Sequence, residues 1–89
     1  MNPRRKNILV VDDEKGVRES IKMTLKDKYR LTEAADGKSA LAKLIKEPVD
    51  LVLLDVNLPD TTGIKLIKEI KRIDETVNII MVTADNSVK

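Results

Sequence analysis

The 89-residue sequence has no cysteine, no histidine, no tryptophan and no phenylalanine, and Tyr29 is its one aromatic residue. Without Cys and His the chain cannot form a disulfide, a zinc site of the usual ligands, a thiol nucleophile or a Ser-His-Asp triad. Chemistry is left to carboxylates, hydroxyls and lysines. Without aromatics the core must be aliphatic, and Val, Ile and Leu supply 28 residues for it. No apolar run exceeds four residues, far below the roughly 18 that a membrane helix needs. The apolar stretch after the basic start, residues 8–11, is too short for the core of a signal peptide. A soluble, cytoplasmic protein is expected, and the lack of Cys agrees with a reducing compartment.

The length allows one core, so residues 1–89 are read as a single domain. The charges are 17 basic against 15 acidic, and without Arg4, Arg5 and Lys6 the basic count is 14. The positive excess is therefore a short, solvated N-terminal tail. A basic face interleaved with aromatics is absent, which argues against direct nucleic-acid binding by this segment.

Along the chain, Ile-Leu-Val-Val at 8–11 is an unbroken apolar run of strand length, as expected of a strand buried on both faces. Residues 51–54 (Leu-Val-Leu-Leu) and 79–82 (Ile-Ile-Met-Val) repeat that pattern, and the more mixed residues 29–34 read as an edge strand. Between them the period turns helical. Val17, Ile21 and Leu25 mark one amphipathic helix, with Asp13 or Glu14 near its first turn, where negative charge is favoured. Ala40, Leu41, Leu44 and Ile45 mark a second, entered near Asp36-Gly37 and stopped before Pro48. Ile64, Ile67, Ile70 and Ile73, widened by Leu66, mark a third after a Pro- and Gly-containing turn. The order βαβαβαβ implies right-handed crossovers and a doubly wound parallel sheet of three layers, an α/β fold.

In such sheets ligands bind beyond the carboxyl ends of the strands. Those ends carry Asp12-Asp13, Asp55 and Thr83. A single strand-end Asp is an ordinary cap or turn residue, and Asp13 could cap the first helix. An acidic pair, a further strand-end Asp and a strand-end Thr gathered on one edge are far more specific. Three crowded carboxylates repel and raise one another's pKa values unless a cation or a donor neutralises them. Oxygen-only ligands select a hard divalent ion, and Mg²⁺ suits a small carboxylate set.

These motifs, Ile-Leu-Val-Val-Asp12-Asp13-Glu14, Leu-Val-Leu-Leu-Asp55-Val-Asn57-Leu-Pro59-Asp60-Thr-Thr-Gly63 and Ile-Ile-Met-Val-Thr83-Ala84, resemble those of the receiver domains of two-component response regulators. Glu33-Ala34-Ala35-Asp36-Gly37 is similar to the family's turn before the second helix, and the closing Thr-Ala-Asp-Asn-Ser-Val-Lys is similar to receivers attached to sigma-54-type activators. The resemblance implies a flavodoxin-like fold with strand order 2-1-3-4. It implies that Asp55 is the phospho-acceptor and that Asp13 and Asp55 ligate Mg²⁺. Asp12 would act through a bound water and Asn57 through its backbone carbonyl. Thr83 would hydrogen-bond the phosphoryl group and move with it, and the Ala84 backbone would contact it. The donor would be a sensor histidine kinase or a small phosphodonor, since the chain has no His of its own. The domain would be a signalling switch in transcription regulation rather than an enzyme.

The family has five strands and five helices, of which this sequence contains four strands and three helices. The lysine and the aromatic switch residue of the family's fifth strand have no counterpart, and Lys89 does not replace the lysine by motif. Two further functions compete. One is an inert or non-phosphorylated association module, a homodimer or exchanged dimer formed through the exposed fourth strand. The other, an Asp-nucleophile phosphohydrolase, needs a second Asp two residues after the nucleophile, where this chain has Asn57.

Overall fold

The computed structural model describes residues 5–82. Its elements follow in the order β1 (Asn7–Val11), α1 (Lys15–Leu25), β2 (Arg30–Ala34), α2 (Gly37–Lys46), β3 (Leu51–Asp55), α3 (Gly63–Ile73) and β4 (Asn78–Val82). All four strands are parallel, in the order β2-β1-β3-β4. The chain therefore leaves β1 in one direction to form β2, then returns across β1 to form β3. That reversal opens a crevice at the carboxyl ends of β1 and β3.

Register is fixed at the opposite end by a polar clasp around Asn7, which is buried. Its backbone N–H donates to Asp50 Oδ2 at 2.8 Å, its side-chain amide donates to the Pro48 carbonyl at 2.8 Å, and its Oδ1 accepts from the Thr32 hydroxyl at 2.9 Å. A one-residue slip would break all three bonds and turn every side chain to the wrong face. With this register Val11 lies beside Ala34 on one side and Leu54 on the other, and Asp55 lies beside Val82.

The core sits between the sheet and the α2/α3 layer. Leu9, Val11, Val52 and Leu54 point into it from the strands, and Ala40, Leu44, Leu66 and Ile70 close it from the helices. The other face carries α1 alone among the described residues, and β1 is buried along its whole length, as the unbroken apolar run predicts. The expectation fails for the other two runs. β3 alternates between buried and half-buried positions, and on β4 Ile80 and Met81 are 51% and 40% exposed. The cause is position in the sheet: α1 packs over β1 and β2 and leaves Leu53 and its neighbour Ile80 uncovered, while Met81, the neighbour of Leu54, lies on the opposite face at the outer strand beside the start of α3. A wide groove lined by Ile8, Leu25, Tyr29, Leu51 and Leu53 follows from the same gap.

The helix stripes shift in the same way. Ile45, Ile64 and Ile73, read as core positions, are exposed. The face of α3 that is buried runs instead through Leu66 and Ile70, with Ile67 at its edge. The second helix begins where expected, with Asp36 as N-cap in a reciprocal capping box with Ser39.

Candidate phospho-acceptor and metal site

The alternation of side chains along parallel strands decides where the carboxylates point. Val10 pairs with Leu53, so Asp12 and Asp55, each two residues farther on, emerge on the same face at neighbouring strand ends. Asp13 follows immediately. Carboxylate oxygens of Asp12, Asp13 and Asp55 lie within 4.8 Å of one another, as the strand-end placement predicts. Asp12 is buried, Asp55 half-buried and Asp13 exposed, so the cluster opens to solvent on its Asp13 side.

Local hydrogen bonds shape the turn. The Asp12 N–H extends the β1–β2 ladder to the Ala34 carbonyl at 3.1 Å, and Asp12 Oδ1 accepts from the Glu14 N–H at 2.8 Å. The side chain thus closes an Asx turn that leads into α1. Asp13 does not cap that helix, and neither Asp13 nor Glu14 lies in its first turn. Glu14 is the N-cap residue, without a side-chain bond. The Asp12 carboxylate is committed to its own turn, and Asp13 is left free to face the cluster.

Burial pushes the Asp12 carboxyl above the usual aspartate range, and the negative charges of Asp55 and Asp13 push it the same way. The Glu14 N–H and the Arg18 guanidinium oppose this without cancelling it. Mutually repelling carboxylates, one of them buried, are the electrostatic condition that a hard divalent cation relieves. The residues present therefore fit Mg²⁺ by donor type, number and spacing.

Beyond β3, the Asn57 N–H donates to Asp55 Oδ1 at 3.3 Å, and Asn57 forms an isolated antiparallel bridge with Thr62. The Gly63 N–H donates to the Val56 carbonyl at 3.3 Å. A Cβ at Gly63 would lie 2.7 Å from Met81 Cε and 3.4 Å from Val56 Cα, so the start of α3 packs closely against β4, and a larger residue would have to displace the end of the Met81 side chain. Asp60 reaches across to the N-terminus of α2, and Thr62 caps α3 through the Lys65 N–H. Thr83 and Ala84 lie outside the described residues.

Sequence reasoning missed one residue at the site. No basic residue adjoins the carboxylates in sequence, yet Arg18, one turn into α1, donates from its guanidinium to the Asp12 carbonyl at 2.6 Å. The signal that could have found it is weak: a helix following the acidic turn must present some residue of its first turns back toward that turn. The wide groove described above, by contrast, lies toward the other end of the sheet and includes none of the carboxylates of the cluster.

A doubly wound parallel sheet with an acidic cluster at its topological switch point defines the class of the protein. The response regulator receiver domain family model matches residues 8–89. The chain belongs to that family, whose members serve as signalling modules of response regulators. Sporulation initiation phosphotransferase F of Bacillus subtilis is 42% identical over 78 residues, an alignment covering 86% of this chain and 63% of that protein. The phosphate regulon transcriptional regulatory protein PhoB of Pseudomonas aeruginosa is 42% identical, with 94% of this chain and 40% of that protein covered. The chain thus spans less than two thirds of the length of these curated relatives. Among solved structures, the chemotaxis protein CheY4 of Vibrio cholerae superposes with a TM-score of 0.85 at 35% identity, covering 93% of this chain and 72% of that one. The response regulator TrrA of Thermotoga maritima, solved in complex with Mg(2+)-BeF, gives 0.83 at 38% identity, covering 91% of this chain and 71% of its own. The strand order and helix placement are those of the flavodoxin-like receiver fold.

Proposed function

We propose that this chain is a phospho-acceptor domain of a two-component system and takes a phosphoryl group onto Asp55 in a Mg²⁺-dependent reaction. The observation that carries this reading is the placement of the Asp55 carboxylate at the end of β3, in one cluster with Asp12 and Asp13. In the reaction a carboxylate oxygen of Asp55 bonds to phosphorus as the bond from phosphorus to the donor breaks. The electron pair of that bond leaves with the donor, and an acyl phosphate remains on Asp55. The donor is a phosphohistidine of a sensor kinase or a small phosphodonor, because the chain itself has no His.

Asp12, Asp13, Asp55 and the Asn57 backbone carbonyl are the groups that would hold Mg²⁺, which supplies charge neutralisation for the incoming phosphoryl oxygens. Thr83 and Ala84 directly follow Val82, the register neighbour of Asp55. To them we assign the hydrogen bond to the phosphoryl group and a backbone contact with it. The Asn57 side chain stands where a phosphohydrolase would carry its general acid, which favours a stable phospho-acceptor over a hydrolase and a relay module over an enzyme. Family membership supports a cytoplasmic setting.

Intact-mass measurement after exposure to acetyl phosphate tests the reading. One phosphoryl group should be added with Mg²⁺ and none without it, and Asp55→Asn should abolish the addition. A modified peptide mapping to Asp60, Thr83 or Ser87 would overturn the assignment.

A second reading, a module that associates with another copy of itself, is favoured by the exposure of Ile80 and Met81 on the outermost strand. Self-association is compatible with phosphorylation of Asp55, whereas an inert module is not, and the mass measurement above separates the two.

A further inference from the structure

We propose that Arg18 is a positioning residue for the acidic site, fixing the peptide between Asp12 and Asp13 from α1 so that the Asp13 carboxylate is aimed at the cluster. The proposal rests on the reading of that cluster as a Mg²⁺ and phospho-acceptor site.

The Arg18 side chain is 15% exposed and its guanidinium is shared between two elements. One terminal nitrogen donates to the Asp12 carbonyl at 2.6 Å, and Nε donates to Glu33 Oε1 on β2 at 3.0 Å. The other Glu33 oxygen accepts from Lys22 at 2.8 Å, so the carboxylate is held from two turns of α1. The Asp12 carbonyl belongs to the planar peptide unit that also carries the Asp13 N–H. Holding that oxygen holds the plane, and leaves only rotation about the Asp13 N–Cα and Cα–Cβ bonds to aim its side chain. Among the described residues the Asp13 carboxylate accepts no hydrogen bond from the protein, so its aim depends on its backbone. Asp12 is already held through its N–H and its side chain, and Arg18 completes the set at its third polar group.

Two roles for Arg18 make opposite predictions. A guanidinium near three carboxylates repels a divalent cation, so an Arg18 acting by charge alone would weaken Mg²⁺ binding, and its removal would tighten it. An Arg18 that positions Asp13 must do the reverse. Lysine separates the roles again, because it keeps the charge but lacks the fork that reaches the Asp12 carbonyl and Glu33 together.

Isothermal titration of the 89-residue chain with Mg²⁺, at fixed ionic strength, decides between them. Arg18→Ala and Arg18→Lys should each weaken binding about tenfold, the scale of losing a partner that orients a metal ligand. Circular dichroism melts without Mg²⁺ should show both variants folded at the titration temperature. Glu33→Gln should weaken binding less, and should add nothing in an Arg18→Ala background, since Glu33 acts through Arg18. Equal or tighter binding by Arg18→Ala, parent-like affinity of Arg18→Lys, or additivity of the two substitutions would overturn the proposal. So would loss of a cooperative melt in both Arg18 variants, which would assign the bonds to the fold. If the parent chain itself binds no Mg²⁺, the reading of the site fails along with the proposal; if the parent binds and the variants match it, the proposal alone fails.

Discussion

The Asp60 carboxylate grips the N-terminus of α2 from across the site loop, with Oδ1 accepting from the Gly37 N–H at 2.8 Å and Oδ2 from the Lys38 N–H at 3.0 Å. The first N–H groups of a helix have no partner within it. Here Asp60 satisfies two of them and Asp36 satisfies a third, that of Ser39, at 2.8 Å. The bond pair also ties the loop that follows Asp55 to a different layer of the fold. Asp60→Ala should destabilise the chain by about 1 kcal/mol, the usual cost of losing a helix cap. Asp60→Asn, which keeps one acceptor, should cost less. Urea denaturation measures both, and an unchanged midpoint for Asp60→Ala would show the grip to be energetically idle.

Gly37→Ala is a test of how tightly that junction is packed. In an open helix the change to alanine is favourable by up to about 1 kcal/mol. At Gly37, however, the new Cβ would lie 2.6 Å from Thr61 Cγ2 and 3.3 Å from Asp60 Oδ1. Thr61 has a short, branched side chain with little room to yield, so the substitution should destabilise the chain, opposite in sign to the helix preference. Thr61→Ser removes the clashing methyl and should recover most of the loss. Additive effects of the two substitutions in a double-mutant cycle would contradict the contact.

What could be read from the sequence was what depends on short spacing or on topology. The helix entrance near Asp36-Gly37 was legible, and the structure adds the capping box between Asp36 and Ser39, three residues apart, that makes it. Asp12, Asp13 and Asp55 were legible because a parallel βαβ order alone brings strand ends to one edge. Apolar runs were less reliable: the run at 8–11 is buried on both faces, while the equally apolar run at 79–82 holds exposed Ile80 and Met81. Both runs are wholly apolar, and the difference is which strand lies in the middle of the sheet. Ile64 misled for a related reason, since its spacing fits the stripe of α3 but its face turns away from the core. Asp60 and Gly37 are 23 residues apart, and Arg18 and Glu33 are 15 apart. No periodicity announces such pairs, because they exist only after the layers have packed.

Asp12 and Glu33 should give opposite signs in a pH series. Burial and like charges raise the Asp12 pKa, so the folded chain holds this proton more tightly than the unfolded chain does. Its contribution to stability therefore falls as pH climbs from the ordinary aspartate value through the raised one. Hydrogen bonds from Lys22 and then Arg18 lower the Glu33 pKa, so its contribution is fully present above the ordinary glutamate value and is lost as pH falls through the depressed one. Asp12→Asn, whose amide oxygen can still accept from the Glu14 N–H, should stabilise the cation-free chain at pH 7 by about 1 kcal/mol, an ordinary single-residue effect. Glu33→Gln should destabilise at pH 7 and lose that effect in acid. Urea midpoints across the acid-to-neutral range, without divalent ions, check both; a destabilised Asp12→Asn would contradict the electrostatics assigned to the cluster.

The 89-residue chain should associate through β4. This strand is outermost in the order β2-β1-β3-β4, so its far edge has no partner strand among the described residues. An open edge offers a row of N–H and C=O groups to another strand, and charged side chains are the usual device that prevents pairing. β4 has none: its sequence is Asn-Ile-Ile-Met-Val, with Ile80 and Met81 exposed. Taking one such side chain from full exposure to full burial contributes about 1.5 to 3 kcal/mol, and Ile80 and Met81, at 51% and 40% exposure, have roughly half of that left to gain in each copy, before the entropy of association is subtracted. Two copies related by a twofold axis would pair their β4 edges antiparallel, the commonest symmetry for a homodimer. Sedimentation velocity at micromolar concentrations should show a monomer–dimer equilibrium, and the melting temperature should rise with concentration. Ile80→Lys places a charge on the exposed strand and should return the chain to monomer while leaving the carboxylate cluster intact. A parent chain that stays monomeric, with a melt independent of concentration, would mean that the exposed residues of β4 do not drive self-association.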